Sequence, residues 1–283
     1  MDLGIDGRVA LVIGGGRGIG YAVCNDLAAA GGKVAIADIN GDGAKESAGK
    51  LAAETSAETM GIGLDISSME SVRSGYDEIA KKFGAPEILI ITAAIVDDKL
   101  FLESSVDDWK PMIDICLYGP MNVLSVALPS MVENNYGRVV CMATDSARVG
   151  QARLSYYAAA KAGVVALVKS VAQEIGSKGV NLNVVSPGAT NTELRMAREE
   201  AMKAEMGEEK YVRRVEKVLR MYPVRRIGEP EDIASITAFL VSERASWITG
   251  QVVSVNGGFV MPWGYGRGLR TNNRTKTHSG VCH

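Results

Sequence analysis

Tyr157 and Lys161 stand four residues apart in the run Ser155-Tyr156-Tyr157-Ala158-Ala159-Ala160-Lys161. On a helix that spacing puts a phenol and an ammonium on one face, about one turn apart. Nearby positive charge favours the phenolate, so the pair predicts a phenol drawn down from its ordinary ~10 toward neutral, where it serves as a general acid or base. The spacing alone carries little, because a chain this rich in tyrosine and lysine meets it by chance nearly as often as not. Position carries more. The pair opens a long helix just after a strand that ends in Thr144, whose hydroxyl can hold a substrate oxygen.

A second group of residues suits a dinucleotide. The apolar run Val9-Ala10-Leu11-Val12-Ile13 passes directly into Gly14-Gly15-Gly16-Arg17-Gly18-Ile19-Gly20. Such a glycine run turns tightly, approaches a pyrophosphate closely and aims the free N–H groups of the next helix at phosphate. A helix over 21–30 follows, Gly31-Gly32 stops it, and a second apolar strand over 33–37 ends at Asp38, whose carboxylate can accept hydrogen bonds from a ribose diol. The spacing Gly14-x-x-x-Gly18-x-Gly20 is not the commoner G-x-G-x-x-G, so the flanking strand, helix and acid carry the reading. Asp38 favours NAD over NADP, since a carboxylate repels a 2′-phosphate. Arg17 is the counterweight, a guanidinium in the turn that can pair with one.

The elements that must position these groups alternate regularly. Helices are predicted over 43–54, 69–83 and 155–176, with a helical pattern over 109–134 interrupted near Gly119-Pro120, and strands over 59–65, 87–93, 138–144 and 180–186. With no repeat period and no linker, this alternation predicts an α/β fold: one doubly wound, Rossmann-type parallel sheet of about seven strands. Ligands bind outside the carboxyl ends of such strands. That rule selects the glycine turn, Asp38, Asp65, and the segments 92–95, 144–148 and 187–192.

The 283 residues suit one large domain, expected over 1–261, with a Gly-, Arg- and Thr-rich tail over 262–283 expected to be extended, disordered or in contact with a neighbouring subunit. A formal net charge of −2 gives no electrostatic case for nucleic acid. Cys24, Cys116, Cys141 and Cys282 are scattered without a C-x-x-C pair, which predicts neither a metal site nor a disulfide framework and fits a reduced cytoplasmic setting. No signal-peptide pattern is visible at the start. The longest apolar run, 88–96, falls far short of the ~20 residues that span a bilayer, so a soluble, cytoplasmic protein without a membrane partner is expected.

With these motifs in order, the chain resembles the short-chain dehydrogenase/reductase family over about 8–261. The resemblance rests on Gly14-x-x-x-Gly18-x-Gly20, Asp65, Thr144 thirteen positions before Tyr157, the Tyr157-x-x-x-Lys161 pair, Pro187-Gly188 with Thr192, and Asn256-Gly257-Gly258. It implies that Gly14, Arg17, Gly18, Ile19, Gly20, Asp38, Asp65, Ile66, Ala93, Tyr157, Lys161, Pro187, Gly188 and Thr192 bind the cofactor. Tyr157, Lys161 and Thr144 would be catalytic, in an NAD-dependent interconversion of a secondary alcohol and a ketone, with hydroxyacyl-CoA esters and cyclic alcohols as candidate substrates. It further implies a substrate lid at about 190–226 and a homodimer or homotetramer.

Four positions depart from the family's pattern: Ile13 for a Thr, Ile91-Thr92-Ala93-Ala94 for Asn-Asn-Ala-Gly, Cys116 for a catalytic Asn, and Thr144 for a Ser. Thr92 is placed to supply, across the sheet, the hydroxyl that Ile13 lacks. The alternative reading of these departures is a catalytically silent subunit of a hetero-oligomeric dehydrogenase, assembled with an active paralogue. Retention of Tyr157, Lys161, Asp38 and the three glycines favours the enzyme. Other features have plainer readings: Cys24, Cys116 and Cys141 as small core residues, Tyr156 as packing, Asp145 and Ser146 as a solvated loop. For Arg195, Arg198, Arg213 and Arg214, a solvated helical face laced with ion pairs is favoured over an anion site.

Overall fold

A computed structural model describes residues 2–261; the tail expected over 262–283 lies outside the described residues. Seven parallel strands form one sheet in the order β3-β2-β1-β4-β5-β6-β7: β1 Val9–Ile13, β2 Lys33–Asp38, β3 Thr59–Gly63, β4 Ile88–Ile91, β5 Gly137–Met142, β6 Val180–Pro187 and β7 Val252–Val255. Successive side chains of a strand point to opposite faces. Leu11 and Ile13 therefore join the core beneath α3 (Met69–Phe83), α5 (Gly119–Glu133) and α7 (Ser155–Ile175), while Ala10 and Val12 join the core beneath α1 (Gly18–Ala29), α2 (Gly41–Thr55) and α10 (Pro230–Leu240). Both faces of the central strands are covered, which is why their sequences are unbroken apolar runs rather than alternating ones.

The order of strands reverses between β1 and β4. Chain leaving β1 turns one way and chain leaving β4 the other, and the crevice opened between them is the ligand site of this class of sheet. The glycine turn and residues 92–105 flank that crevice.

The helical run interrupted in the sequence pattern is α4 (Val106–Ile113), a wide π turn over Asp114–Tyr118, and α5. The extra residue of a π turn shifts the face that the following helix presents. At 28 residues this run is long and apolar enough to cross a membrane by length and composition. In this fold it is a layer against the sheet, with Met112, Cys116, Leu124 and Met131 buried. Between α7 and α10, α8 (Glu193–Met206) and α9 (Glu208–Leu219) carry no buried residue at all. A short α6 (Ser146–Val149) occupies the stretch expected to be loop.

Candidate active site

The glycine turn is held from three sides. The N–H groups of Gly14 and Gly15 donate to the Ala37 carbonyl at 2.7 and 3.2 Å, binding the turn to β2. Thr92 Oγ1 lies 2.9 Å from both the Ile13 and the Gly14 carbonyl oxygens and donates to them. The hydroxyl of Thr92 thus ties the β4 exit to the turn that follows β1. Gly14 has φ +79°, and a Cβ there would fall 2.7 Å from the Ala93 nitrogen; one on Gly20 would fall 2.1 Å from the Gly14 carbonyl oxygen. No larger residue lets helix α1 start this close to the strand.

Asp38 closes the far side. One carboxylate oxygen accepts from Gly16 N at 3.2 Å and the other from Asn40 N at 3.1 Å. Arg17, the residue before α1, is exposed. Asp65 accepts from both the N–H and the hydroxyl of Ser67, at 2.9 and 2.7 Å, while the Ile66 carbonyl accepts from Asn122 at 3.2 Å. Ile66 packs where a Cβ on Gly119 would clash at 2.9 Å. On the opposite rim Gly188 donates its N–H to Val255 at 2.9 Å, and Thr192 caps α8 by accepting from Arg195 N, with its methyl facing Gly18. A glycine turn, a carboxylate at the β2 end and a rim built on Pro187-Gly188 and Thr192 therefore meet around one cleft. The donor set fits a nicotinamide dinucleotide: backbone N–H for phosphate, carboxylate for a ribose diol.

Lys161 is 2% exposed, and its ammonium donates to the Met142 carbonyl at 2.9 Å. Met142 ends β5, two residues before Thr144, so this bond seats the α7 face carrying Tyr157 over the exit of β5. Tyr157 packs against the buried cluster of Met112, Cys116, Tyr156 and Ala160. Burial pushes its phenol well above the ordinary tyrosine range, with a smaller push from Cys116. This corrects the expectation that Lys161 draws the phenol down. Both groups are desolvated together, and burial likewise pulls the Lys161 ammonium below its ordinary value. Thr144 Oγ1 accepts from the Ser146 hydroxyl at 3.2 Å, which leaves the threonine's own proton to donate elsewhere.

Cys116 sits in the π turn, fully buried, with its thiol 3.5 Å from the Ile95 carbonyl. It places a weak donor beside Tyr157. Cys24, Cys116 and Cys141 are buried and free.

One other expectation changes, and two are filled out. Asp145 is not on a solvated loop: it is 2% exposed and accepts from Ser186 and Ser254, each at 2.8 Å, and from Asn256. That knot joins the Thr144 segment to β6, β7 and the Asn256 turn. Tyr156 is buried, as packing would have it, but its hydroxyl also donates to Asp97. The four arginines of α8 and α9 all face carboxylates of this chain. Arg195 and Arg214 reach Glu199 at 3.1 and 2.7 Å, Arg198 reaches Asp98 at 2.9 Å, and Arg213 pairs with Glu209. Asp97 and Asp98 lie just past the strand-end segment 92–95, and their partners come from residues 55 or more positions away, so sequence reading passes over them. Two consecutive acids directly after a strand-end segment were the available signal.

A family model described as enoyl-(acyl carrier protein) reductase matches residues 14–260. The 3-oxoacyl-[acyl-carrier-protein] reductase FabG of Aquifex aeolicus (strain VF5) is 34% identical over 258 residues, 91% of this chain and 99% of that protein. FabG of Escherichia coli (strain K12) is 31% identical over 259 residues, 92% of this chain and all of that protein. Among solved structures, levodione reductase superposes with a TM-score of 0.83 at 31% identity, covering 90% of this chain and 98% of the other.

Proposed function

The chain belongs to the short-chain dehydrogenase/reductase family of nicotinamide-dependent oxidoreductases, and on that premise we propose that it is an NAD-dependent enzyme interconverting a small-molecule secondary alcohol and a ketone. The observation that carries this reading is the buried Lys161 ammonium, fixed at the β5 exit one helical turn from Tyr157 and two residues along the strand from Thr144.

The bound nicotinamide supplies the hydride acceptor in one direction and the hydride donor in the other. Gly14, Gly18, Ile19 and Gly20 would hold its phosphates, Asp38 its adenine ribose, Asp65, Ile66 and Ala93 the wall beside the adenine and its linkage, and Pro187, Gly188 and Thr192 its carboxamide end. Lys161 spends one of its three N–H donors on Met142, which leaves two for the nicotinamide ribose. Thr144 donates to the substrate oxygen. Tyr157 gives its proton to that oxygen as a ketone is reduced, or accepts it as an alcohol is oxidised. A phenol pushed up by burial holds its proton at neutral pH, the form that a general acid needs when a ketone is reduced.

NAD is favoured because Asp38 presents a carboxylate bound by Gly16 and Asn40 where a 2′-phosphate would stand. Exposed Arg17 is the residue that would answer such a phosphate. An uncharged, cyclic ketone is favoured over a CoA ester, because the arginines of α8 and α9 are already paired within the chain. No observation favours a silent subunit. Free buried thiols fit the cytoplasm. β7 ends the sheet, and an unpaired outer strand with partly buried valines suits a homodimer or homotetramer.

The test is a panel of cyclic ketones and 3-oxoacyl thioesters with NADH and NADPH, followed by coenzyme absorbance and by quenching of tryptophan fluorescence. Turnover of a cyclic ketone with NADH, at micromolar coenzyme affinity, is expected. Failure to bind either coenzyme at millimolar concentration contradicts the reading.

A further inference from the structure

The segment 97–99 after β4 grips three other parts of the chain. Asp98 Oδ1 takes the guanidinium of Arg153, whose Nη2 also donates to the Asp98 carbonyl at 2.9 Å, and the Arg153 carbonyl in turn accepts from Lys99 N at 3.1 Å. Next to it, Asp97 takes the hydroxyl of Tyr156, the neighbour of Tyr157. Lys99 reaches Asp108 on α4 at 2.8 Å. The second oxygen of Asp98 points the other way, to Arg198 on α8 at 2.9 Å. Arg153 has φ +70°, an unusual conformation for arginine, held here by these bonds two residues before α7 begins.

Nothing anchors α8 by burial, since none of its residues is in the core. It starts against the glycine turn, where Thr192 meets Gly18, and two turns later Arg198 crosses to Asp98. The helix therefore lies over the cleft between the coenzyme turn and the loop beside Tyr157.

We propose that Asp98 is a positioning residue of the reaction: a single carboxylate, shared between Arg198 of the covering helix and Arg153 at the root of the Tyr157 helix, couples closure over the substrate to the seating of Tyr157. This rests on the oxidoreductase reading above. Substrate bound beneath α8 is retained while the Arg198 arm holds. The Arg153 arm keeps the start of α7, and with it the phenol, in register with Thr144. Asp98, Arg153 and Arg198 are each about two-fifths to half exposed, so the clamp is screened by salt.

The test uses the full chain with Asp98→Asn, Asp98→Glu, Arg198→Gln and the Asp98→Asn/Arg198→Gln double variant. One readout needs no turnover: the rate of limited proteolysis within 193–219 of the folded protein. The others are KM and kcat for the best ketone, coenzyme affinity, and the response to salt. Arg198→Gln should raise proteolysis and KM roughly fivefold while leaving kcat near wild type, as expected for loss of a partly exposed charge pair. Asp98→Asn should do the same and also lower kcat, with coenzyme affinity unchanged, and Asp98→Glu should restore much of both. The double variant should match Asp98→Asn rather than exceed it. Wild-type KM should rise between ~0.05 and ~0.5 M salt, and the Asp98→Asn value should not. Proteolysis and KM within about twofold of wild type for both Asp98→Asn and Arg198→Gln, or fully additive effects in the double variant, would overturn the proposal. If no ketone is turned over by the wild type, the oxidoreductase reading fails, while the proteolysis rates still decide whether Asp98 holds α8 down.

Discussion

Lys161 gives its ammonium to the carbonyl of Met142 at 2.9 Å, so the residue that must sit beside Tyr157 is fixed to the strand that delivers Thr144. Helix α7 cannot slide along β5 without breaking a charged, buried hydrogen bond. Such bonds are costly to leave unmade, which makes this one contact a register pin for the three proposed catalytic groups.

Because burial raises the Tyr157 phenol, the two directions of reaction should respond to pH with opposite signs. Reduction needs the protonated phenol and should stay level through neutral pH, then fall only in the alkaline range. Oxidation needs the phenolate and should climb by up to about tenfold per pH unit from neutral upward. Paired pH profiles of kcat/KM in the two directions check this. An oxidation rate level from neutral to alkaline pH would show that the phenol is not held up.

Asp38→Ala removes the carboxylate that faces both Gly16 and Asn40. Loss of charge-assisted hydrogen bonds to a ribose diol should weaken NADH binding by about 10- to 100-fold. NADPH binding should hold steady or improve, since the repulsion of a 2′-phosphate goes with the carboxylate while Arg17 stays. Fluorescence titration with both coenzymes measures the ratio.

At the other end of the sheet the guanidiniums of Arg8 and Arg138 lie 3.7 and 4.3 Å from the ring of Tyr136, one pair of cations sharing one aromatic. Glu87 and Glu243 complete the cluster. Burial first, and then Glu243, push the Tyr136 phenol up to about 12 against the pull of the two cations. Tyr136→Leu should cost about 1–3 kcal/mol of stability through lost cation–π contact, with kcat unchanged below the unfolding range. Thermal unfolding together with steady-state kinetics separates the two effects.

Much of the fold was legible because its signals are local. The unbroken apolar centres of β1 and β4, the glycine turn, and Asp38 at the end of β2 all lie within short stretches, and the structure puts them in adjacent strands of one parallel sheet. What escaped the sequence is set by distant chain. Asp145 reads as a loop acid, yet partners 41 to 111 residues away bury it. The Tyr157-x-x-x-Lys161 spacing gives the face shared by phenol and ammonium. The sign of the phenol's shift depends on desolvation by α4 and the π turn, which no spacing records. Helices α8 and α9 lack a buried stripe, so their pattern reads as charge rather than as structure.

The central claim is that Tyr157 carries the proton. Tyr157→Phe keeps the ring against Met112 and Cys116 and removes only the hydroxyl, so the variant should fold, bind NADH with wild-type affinity and reduce the best ketone about 10²- to 10⁴-fold more slowly. Undiminished coenzyme binding with kcat still above a few per cent of wild type would contradict the account.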